Sequence, residues 1–192
     1  MERLSNDERE VVFRRVEENI RVLKEKVGEA AVKSGRAPED ITILAVTKTV
    51  PVEIINHAIH CGMTHIGENR VQEFLEKYEQ LDLSNCKAQI IGTLQTNKVR
   101  KVIGLVEINI GREENKGGVM PEALDELLGK IGEMQAVRVR GLMAIPPICE
   151  TAKEVRQYFS QMTQLFLDRK SKTSDNISMD FLSMGMSADY EE

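Results

Sequence analysis

Apolar residues are spaced in two different patterns along this chain, and segments with the two patterns alternate. Amphipathic stretches predict helices, whereas short continuous runs of apolar and β-branched residues predict buried strands. The predicted strands are Ile41–Lys48, Thr64–Gly67, Lys87–Gly92, Leu105–Gly111, Val137–Ile145 and Ile177–Ser183. The predicted helices are Ser5 to about Lys33, Val52–Cys61, Val71–Leu81, Gln95–Ile103, Pro121–Gln135 and Glu150–Lys172, with another beginning after Ser187.

This alternation is typical of βαβ units, so we predict an α/β fold with a parallel sheet and right-handed crossovers. No G-x-G-x-x-G fingerprint follows the first strand and no P-loop is present, so nothing favours a nucleotide-binding fold. A (β/α) barrel and an open doubly wound sheet both fit the pattern. The length of 192 residues suits one domain or two small ones.

The strand Ile41–Lys48 ends in a lysine, and Pro51 prevents the strand from continuing. The carboxyl ends of parallel strands are where α/β folds place their chemistry. A lysine there can pair with an anion or, once neutral, attack a carbonyl to form a Schiff base. A strand-end lysine that points into water is the simpler alternative.

A second strand end carries small and hydroxyl residues. After Ile177–Ser183 the chain continues as Met-Gly-Met-Ser187 and enters the last predicted helix, with Asp189 in its first turn. Backbone N–H groups at a helix N-terminus, together with a serine hydroxyl, can bind a phosphate. An ordinary N-cap by Ser187 explains the same residues equally well.

Three histidines and a cysteine lie close together in the sequence, at His57, His60, Cys61 and His65. Zinc uses such ligands, but the spacing matches no usual zinc motif, so we predict no metal site. The glycine-rich loop Gly111–Gly118 carries two acidic residues, which argues against a phosphate-binding role.

Composition narrows the functional classes. The net charge is −5 and no basic stripe is interleaved with aromatic residues, which disfavours nucleic-acid binding. No apolar run approaches the ~20 residues of a membrane span. The N-terminus is charged, unlike a signal peptide. The three cysteines are far apart and form no C-x-x-C motif, which favours a reducing cytoplasm.

Five motifs occur in order along the chain: AVTK at 45–48, HIGENRVQE at 65–73, IGTLQTNK at 91–98, RGLMAIP at 140–146 and LSMGMS at 182–187. Together they resemble the pyridoxal-phosphate homeostasis proteins, relatives of the N-terminal barrel domain of alanine racemase. The resemblance runs from the N-terminal helix to the last residue. It implies a TIM-type (β/α) barrel that binds pyridoxal 5′-phosphate (PLP).

The resemblance also implies roles for individual residues. Lys48 matches the lysine that holds PLP as a Schiff base, and Asn69 matches an asparagine near the cofactor. Ser187, with Ser183 and Gly185, matches the turn that helps to hold the phosphate. No residue is assigned a catalytic role.

The chain departs from the family pattern in three places. One internal βα unit is missing at about Gly104, and the last strand is missing after Glu192. We therefore expect one PLP-binding domain, 1–192, that forms an incomplete barrel. We also predict a break in the chain near Gly104, because the strands on either side of a missing one would be ~9–10 Å apart. Thr93 stands where the family often has histidine.

The function implied by the resemblance is intracellular PLP homeostasis. The protein would be a cytoplasmic monomer that holds PLP without catalytic turnover, and PLP-dependent apo-enzymes would be its candidate partners. One rival function is a single-domain PLP-dependent amino-acid racemase. Another is an α/β domain that binds a phosphorylated metabolite without PLP, with Lys48 as a counter-ion. No nucleic-acid or membrane partner is expected.

Overall fold

The computed structural model describes residues 6–91, 102–134, 137–172 and 174–192. Strands and helices alternate along these ranges, and every pairing between the named strands is parallel. The predicted α/β class is therefore confirmed. The chain divides into two compact units, Met1–Thr96 and Asn97–Glu192.

The first unit contains a three-stranded parallel sheet with β2 between β1 and β3. The strands are β1 (Ala45–Val46), β2 (His65–Glu68) and β3 (Lys87–Ile90), and the helices are α1 (Asn6–Lys33), α2 (Val52–His60) and α3 (Val71–Tyr78). Ile55 and Ile59 lie four residues apart on one face of α2 and pack with Ile66 of β2 in the core of this unit. The apolar spacing in α2 therefore fixes which face of the helix covers the sheet.

The second unit repeats this plan with β5 between β4 and β6. Its strands are β4 (Val102–Glu107), β5 (Val137–Met143) and β6 (Ile177–Ser183), and its helices are α4 (Leu124–Gly132) and α5 (Ala152–Lys170). Leu124 of α4, Leu142 of β5 and Met162 of α5 are each 0% exposed and share one core. The Thr151 side chain accepts a hydrogen bond from the Glu154 amide and starts α5 as a capping box.

The first strand is shorter than predicted. Only Ala45 and Val46 form strand β1, which pairs with Ile66 and Gly67 of β2. Val46 is 48% exposed, so the prediction that this strand is buried is wrong. An apolar run shows that a segment can form a strand, but a buried strand also needs partner strands beside it. Within the described residues, β1 has a hydrogen-bonded neighbour on one side.

Gly104 lies inside a strand, so the predicted chain break there is wrong. Strand β4 runs continuously through Gly104, which pairs with Val139 of β5. The register shifts between Gly104 and Val106, as expected where a glycine accommodates a β-bulge. The predicted helix Gln95–Ile103 is also wrong at its end, since β4 begins at Val102, and its remainder falls outside the described residues.

The last predicted helix is not a helix. Ser187 begins a run of turns in which the N–H groups of Asp189 and Tyr190 both donate to the Met186 carbonyl at 3.0 Å. The predicted helix Pro121–Gln135 is divided into a single 3₁₀ turn, Pro121–Ala123, followed by α4. Within the described parts of the chain, no helix is long and apolar enough to cross a membrane.

Candidate cofactor-binding site

Lys48 follows the carboxyl end of β1, as the sequence predicted. The Thr47 amide donates to the Gly67 carbonyl at 2.8 Å, which extends the pairing of β1 with β2 by one step. The Lys48 side chain is exposed, and its ammonium has no hydrogen-bond or ion-pair partner among the described residues. A lysine at this position is accessible to a small aldehyde.

Asn69 lies beside Lys48 at the same edge of the sheet. Val46 pairs with Gly67 in register, and Lys48 and Asn69 each come two residues later. Because the two strands are parallel, both residues leave the sheet at its carboxyl edge. Asn69 is exposed in a bend directly after β2. The first unit therefore brings together two of the predicted site residues.

A partly buried ionic cluster contacts the backbone on either side of Lys48. Glu68, the last residue of β2, is 0% exposed, and its Oε1 accepts hydrogen bonds from Thr47 Oγ1 at 2.8 Å and from Lys77 Nζ at 2.9 Å. The Lys77 Nζ also donates to Glu73 Oε1 at 2.7 Å and to the Thr47 carbonyl at 3.1 Å. We call Thr47, Glu68, Glu73 and Lys77 the Lys77 cluster.

The hydrogen bonds of the Lys77 cluster shift the pKa of two of its groups. The side-chain hydrogen bond from Lys77, followed by the backbone hydrogen bond from Thr49, lowers the pKa of Glu73 below its ordinary value of 4.5. Burial lowers the pKa of Lys77, but the hydrogen bonds and charges of Glu73 and Glu68 outweigh burial and raise it above 10.5 overall. Lys77 is therefore held as an ammonium and Glu73 as a carboxylate at neutral pH.

Sequence reasoning missed the Lys77 cluster, although two signals were present. Glu68 is a carboxylate that directly follows the predicted strand Thr64–Gly67, and a carboxylate is rarely buried without a charged partner. Glu73 and Lys77 are four residues apart on a predicted helix, a spacing that allows a salt bridge. The sequence did not show that Glu68 and Glu73 both form an ion pair with the Lys77 ammonium.

The second unit holds the predicted phosphate-binding residues. β6 ends at Ser183, whose carbonyl accepts from the Ala144 amide at 3.0 Å. Gly185 has a φ of +87°, and a Cβ there would lie 3.2 Å from Tyr190 Cα, so the tight turn requires glycine. Ser187 is exposed and makes no hydrogen bond with the described residues, so its hydroxyl and amide are available to an anion.

Anion binding at this turn depends on individual donors. A turn follows Ser187 in place of the predicted helix, so the helix dipole contributes nothing within the described residues. The Met186 amide already donates to the Asp189 carboxylate. A phosphate must therefore displace Asp189 or use other donors, of which Ser187 supplies two.

The histidine and cysteine cluster forms internal hydrogen bonds. His57 Nε2 lies 3.0 Å from Glu17 Oε1 and 3.7 Å from Cys61 Sγ, and the His57 ring stacks on Phe13 with centroids 3.9 Å apart. Within the described part of the chain, the donor atoms of His57, Cys61 and Glu17 all lie within 4.8 Å of one another, so these side chains could bind one metal ion. The Lys24 ammonium bonds the Cys61 carbonyl at 3.3 Å, and a positive charge there opposes a cation.

His60 and His65 lie outside that group. His60 Nε2 faces Asp82 Oδ2 at 3.0 Å, and His65 Nδ1 faces Thr64 Oγ1 at 3.0 Å. Burial, followed by the charge of Lys87, lowers the pKa of His65. The absence of a metal site stays a prediction.

Known proteins resemble this chain in sequence. No protein-family model matches the chain. The pyridoxal phosphate homeostasis protein of Aquifex aeolicus is 38% identical over 197 residues, covering 87% of this chain and 86% of the relative. The protein of the same name from Escherichia coli is 34% identical over 208 residues, covering 90% of this chain and 87% of the relative.

In these alignments, some positions of the relatives have no counterpart in this chain. The comparison with the Aquifex aeolicus protein extends over 197 positions, yet 87% of 192 residues is about 167, so about 30 positions of the relative lack a counterpart.

Solved structures share the fold. PipY of Synechococcus elongatus with PLP bound superposes with a TM-score of 0.68 at 27% identity, covering 87% of this chain and 90% of that one. Alanine racemase from Streptomyces coelicolor gives a TM-score of 0.61 at 14% identity over 90% of this chain and 52% of that one, a likeness of fold alone. The predicted fold class, that of the alanine racemase barrel domain, is confirmed. Given the identity and coverage of its relatives, the chain belongs to the pyridoxal phosphate homeostasis protein family.

Proposed function

We propose that this protein binds PLP and serves intracellular PLP homeostasis, holding the cofactor through a Schiff base to Lys48. The proposal rests on the position of Lys48 at the carboxyl edge of the β1–β2 pair, with Asn69 beside it. Among the described residues, the Lys48 amine has no hydrogen-bond or ion-pair partner. A Schiff base needs a neutral, accessible amine and a carbonyl partner. The PLP-bound structure of PipY and the names of the curated relatives support the same cofactor.

The residues that would hold the phosphate are Ser183, Gly185 and Ser187. The Ser187 hydroxyl and amide are uncommitted donors within the described chain, and Gly185 allows the backbone to turn tightly just before them. A hydrogen bond to a charged group contributes about 1.5–3 kcal/mol, so one or two such bonds are sufficient to orient a small ligand. When bound, PLP supplies an aldehyde and an electron-withdrawing ring, and this chain supplies the amine and the phosphate donors.

The proposed role, holding and delivering PLP, has to be distinguished from an enzymatic role. PLP supports racemisation, transamination and decarboxylation, and the surrounding protein decides which occurs. Alanine racemases are structural neighbours of this chain, which makes amino-acid racemisation the specific alternative. We propose that the protein has no such turnover and that PLP-dependent apo-enzymes receive its cofactor.

The decisive experiment is an absorbance titration of purified protein with PLP, followed by borohydride reduction and peptide mass mapping. We expect a visible band that disappears on reduction, with the adduct on Lys48. Lys48→Ala should abolish the band and keep the far-UV circular dichroism of the wild type. Lys33→Ala, at an exposed lysine of α1, is the matched control. An adduct on another lysine, such as Lys116, would contradict the assignment.

Two further measurements test the role. Incubation of the loaded protein with L-alanine should give no D-alanine, whereas steady racemisation would favour the rival enzyme. Transfer of PLP to an apo-enzyme should be faster than release of PLP into buffer. We further propose that the protein is a cytoplasmic monomer. Its three free cysteines fit a reducing compartment, and size-exclusion chromatography with light scattering would measure the oligomeric state.

A further inference from the structure

The geometry points to the Lys77 cluster as a positioning device that fixes the backbone on both sides of Lys48. This inference rests on the proposed function, because it assigns a purpose to the orientation of the Lys48 amine. Glu68, Glu73 and Lys77 touch no cofactor in this reading. They act through Thr47 and Thr49, the two neighbours of Lys48 in the chain.

The residue before Lys48 is held at three points. The Thr47 amide donates to the Gly67 carbonyl at 2.8 Å, and its hydroxyl donates to Glu68 Oε1 at 2.8 Å. The Thr47 carbonyl, which belongs to the peptide bond leading into Lys48, accepts from Lys77 Nζ at 3.1 Å. Thr47 is 5% exposed, so these bonds are shielded from water and correspondingly strong.

The residue after Lys48 is held by the same cluster. The Thr49 amide, in the peptide bond leading out of Lys48, donates to Glu73 Oε1 at 2.6 Å. Thr49 has a φ of +63°, which a β-branched residue adopts only where its surroundings impose it. Glu73 Oε1 also accepts from Lys77, so one ion pair joins the two peptide bonds that flank Lys48.

The composition of the cluster favours a positioning role over a purely structural one. Glu68 Oε2 is buried and has no hydrogen-bond partner among the described residues, an arrangement that costs stability. Buried ion pairs can often be replaced by apolar side chains with no loss of stability. A cluster with two carboxylates and one ammonium is therefore an inefficient way to fill this space, but it is an effective way to fix two peptide bonds in one geometry.

Fixing the geometry matters because Lys48 has a long, flexible side chain. Its productive attack requires a defined approach to the cofactor aldehyde, and a displacement of about 1 Å in a reacting group can reduce a rate roughly 100-fold. Anchoring the peptide bonds on either side limits the volume that the Lys48 amine explores. The cluster supplies this anchor from β2 and α3, which are regular elements of the first unit.

The first test uses PLP-free protein and amide hydrogen exchange at Thr49. Glu73→Ala removes the acceptor and should accelerate exchange of this amide roughly tenfold or more. Glu73→Gln keeps a side-chain oxygen and should retain part of the protection. Glu76→Ala, at an exposed residue of the same helix, is the matched control and should leave Thr49 unchanged.

The second test measures PLP association and the Kd by absorbance. Glu73→Ala and Lys77→Met should slow adduct formation and weaken binding by roughly 10- to 100-fold, with the reduced adduct still on Lys48. Glu73→Gln should lie between them and the wild type. Lys77→Met leaves Glu68 buried without its charged partner, and this variant could therefore fail to fold. In that case the Glu73 variants test the inference, because Glu73 is more exposed than Glu68.

The two tests separate this inference from the proposed function. Unchanged Thr49 exchange in Glu73→Ala, or a Glu73→Ala protein that binds PLP with the wild-type rate and Kd, would overturn the positioning role. A wild-type protein that forms no adduct at Lys48 would instead contradict the proposed function. In that case the exchange measurement on PLP-free protein still judges whether the cluster fixes the Lys48 backbone.

Discussion

Replacing Gly141 by alanine should strongly destabilise the second unit. Gly141 lies in β5, opposite Phe181 of β6, at a point where the register of the two strands shifts. Its φ is +152°, and a Cβ there would lie 1.8 Å from the Phe181 carbonyl oxygen and 2.8 Å from the carbonyl carbon. Real Cβ atoms essentially never approach the backbone so closely, so β6 would have to move.

The magnitude follows from two independent costs. Holding alanine in a backbone region that favours glycine costs about 1–3 kcal/mol. Displacing a packed strand to admit a methyl group costs about another 1–3 kcal/mol. Alanine also lowers the entropy of the unfolded chain, which offsets about 0.4–1 kcal/mol. We therefore expect Gly141→Ala to lower the free energy of unfolding by about 1–6 kcal/mol.

Gly129 provides a control with the opposite sign. It is an exposed glycine inside helix α4, and an added Cβ would meet no atom within 4 Å. Gly129→Ala should stabilise the protein by about 0.5–1 kcal/mol, because alanine is the better helix former. Urea unfolding followed by far-UV circular dichroism measures both variants. Equal stability of the two variants would refute the reasoning, since the same substitution would then be insensitive to its surroundings.

The remaining predictions concern the phosphate turn, pH and the core. Ser187→Ala should weaken PLP binding by about 0.5–3 kcal/mol in an absorbance titration, and an unchanged Kd would make Ser187 purely structural. The lowered pKa of Glu73 contributes stability above about pH 4.5 that is lost as the pH falls, whereas the raised pKa of Lys77 contributes stability that is lost as the pH rises beyond 10.5. Thermal melts across pH should show both losses, and a Glu73→Gln protein that loses as much stability in acid as the wild type would count against the first. Met162→Ala, at a side chain that is 0% exposed, should cost about 2–5 kcal/mol, whereas Leu167→Ala, at 52% exposure, should stay within about 0.5 kcal/mol.

Errors in the sequence predictions fall where a neighbouring strand or turn decides the outcome. In the sequence Gly104 resembles a boundary, because glycine commonly ends regular structure. It is instead one side of a bulge in β4, and only the partner strand β5 reveals that role. The run after Ser187 has the sequence of a helix start, but the Asp189 carboxylate closes a turn on Met186 instead. Short apolar or polar runs do not distinguish these outcomes by themselves.

The sequence by itself determined the alternation of strands and helices, the position of Lys48 and Asn69 at strand ends, and the small-residue turn after Ser183. These features depend on the spacing of apolar residues and on which residues are adjacent in the chain, and both can be read directly from the sequence. Only the tertiary structure decided that Lys77 joins Glu68 to Glu73 and thereby holds the peptide bonds around Lys48. The Lys77–Thr47 bond joins residues 30 positions apart and the Glu73–Thr49 bond joins residues 24 positions apart. Contacts at such separations exist only after strand register and helix placement have been set, because a change of one residue in register turns every side chain of a strand to its other face.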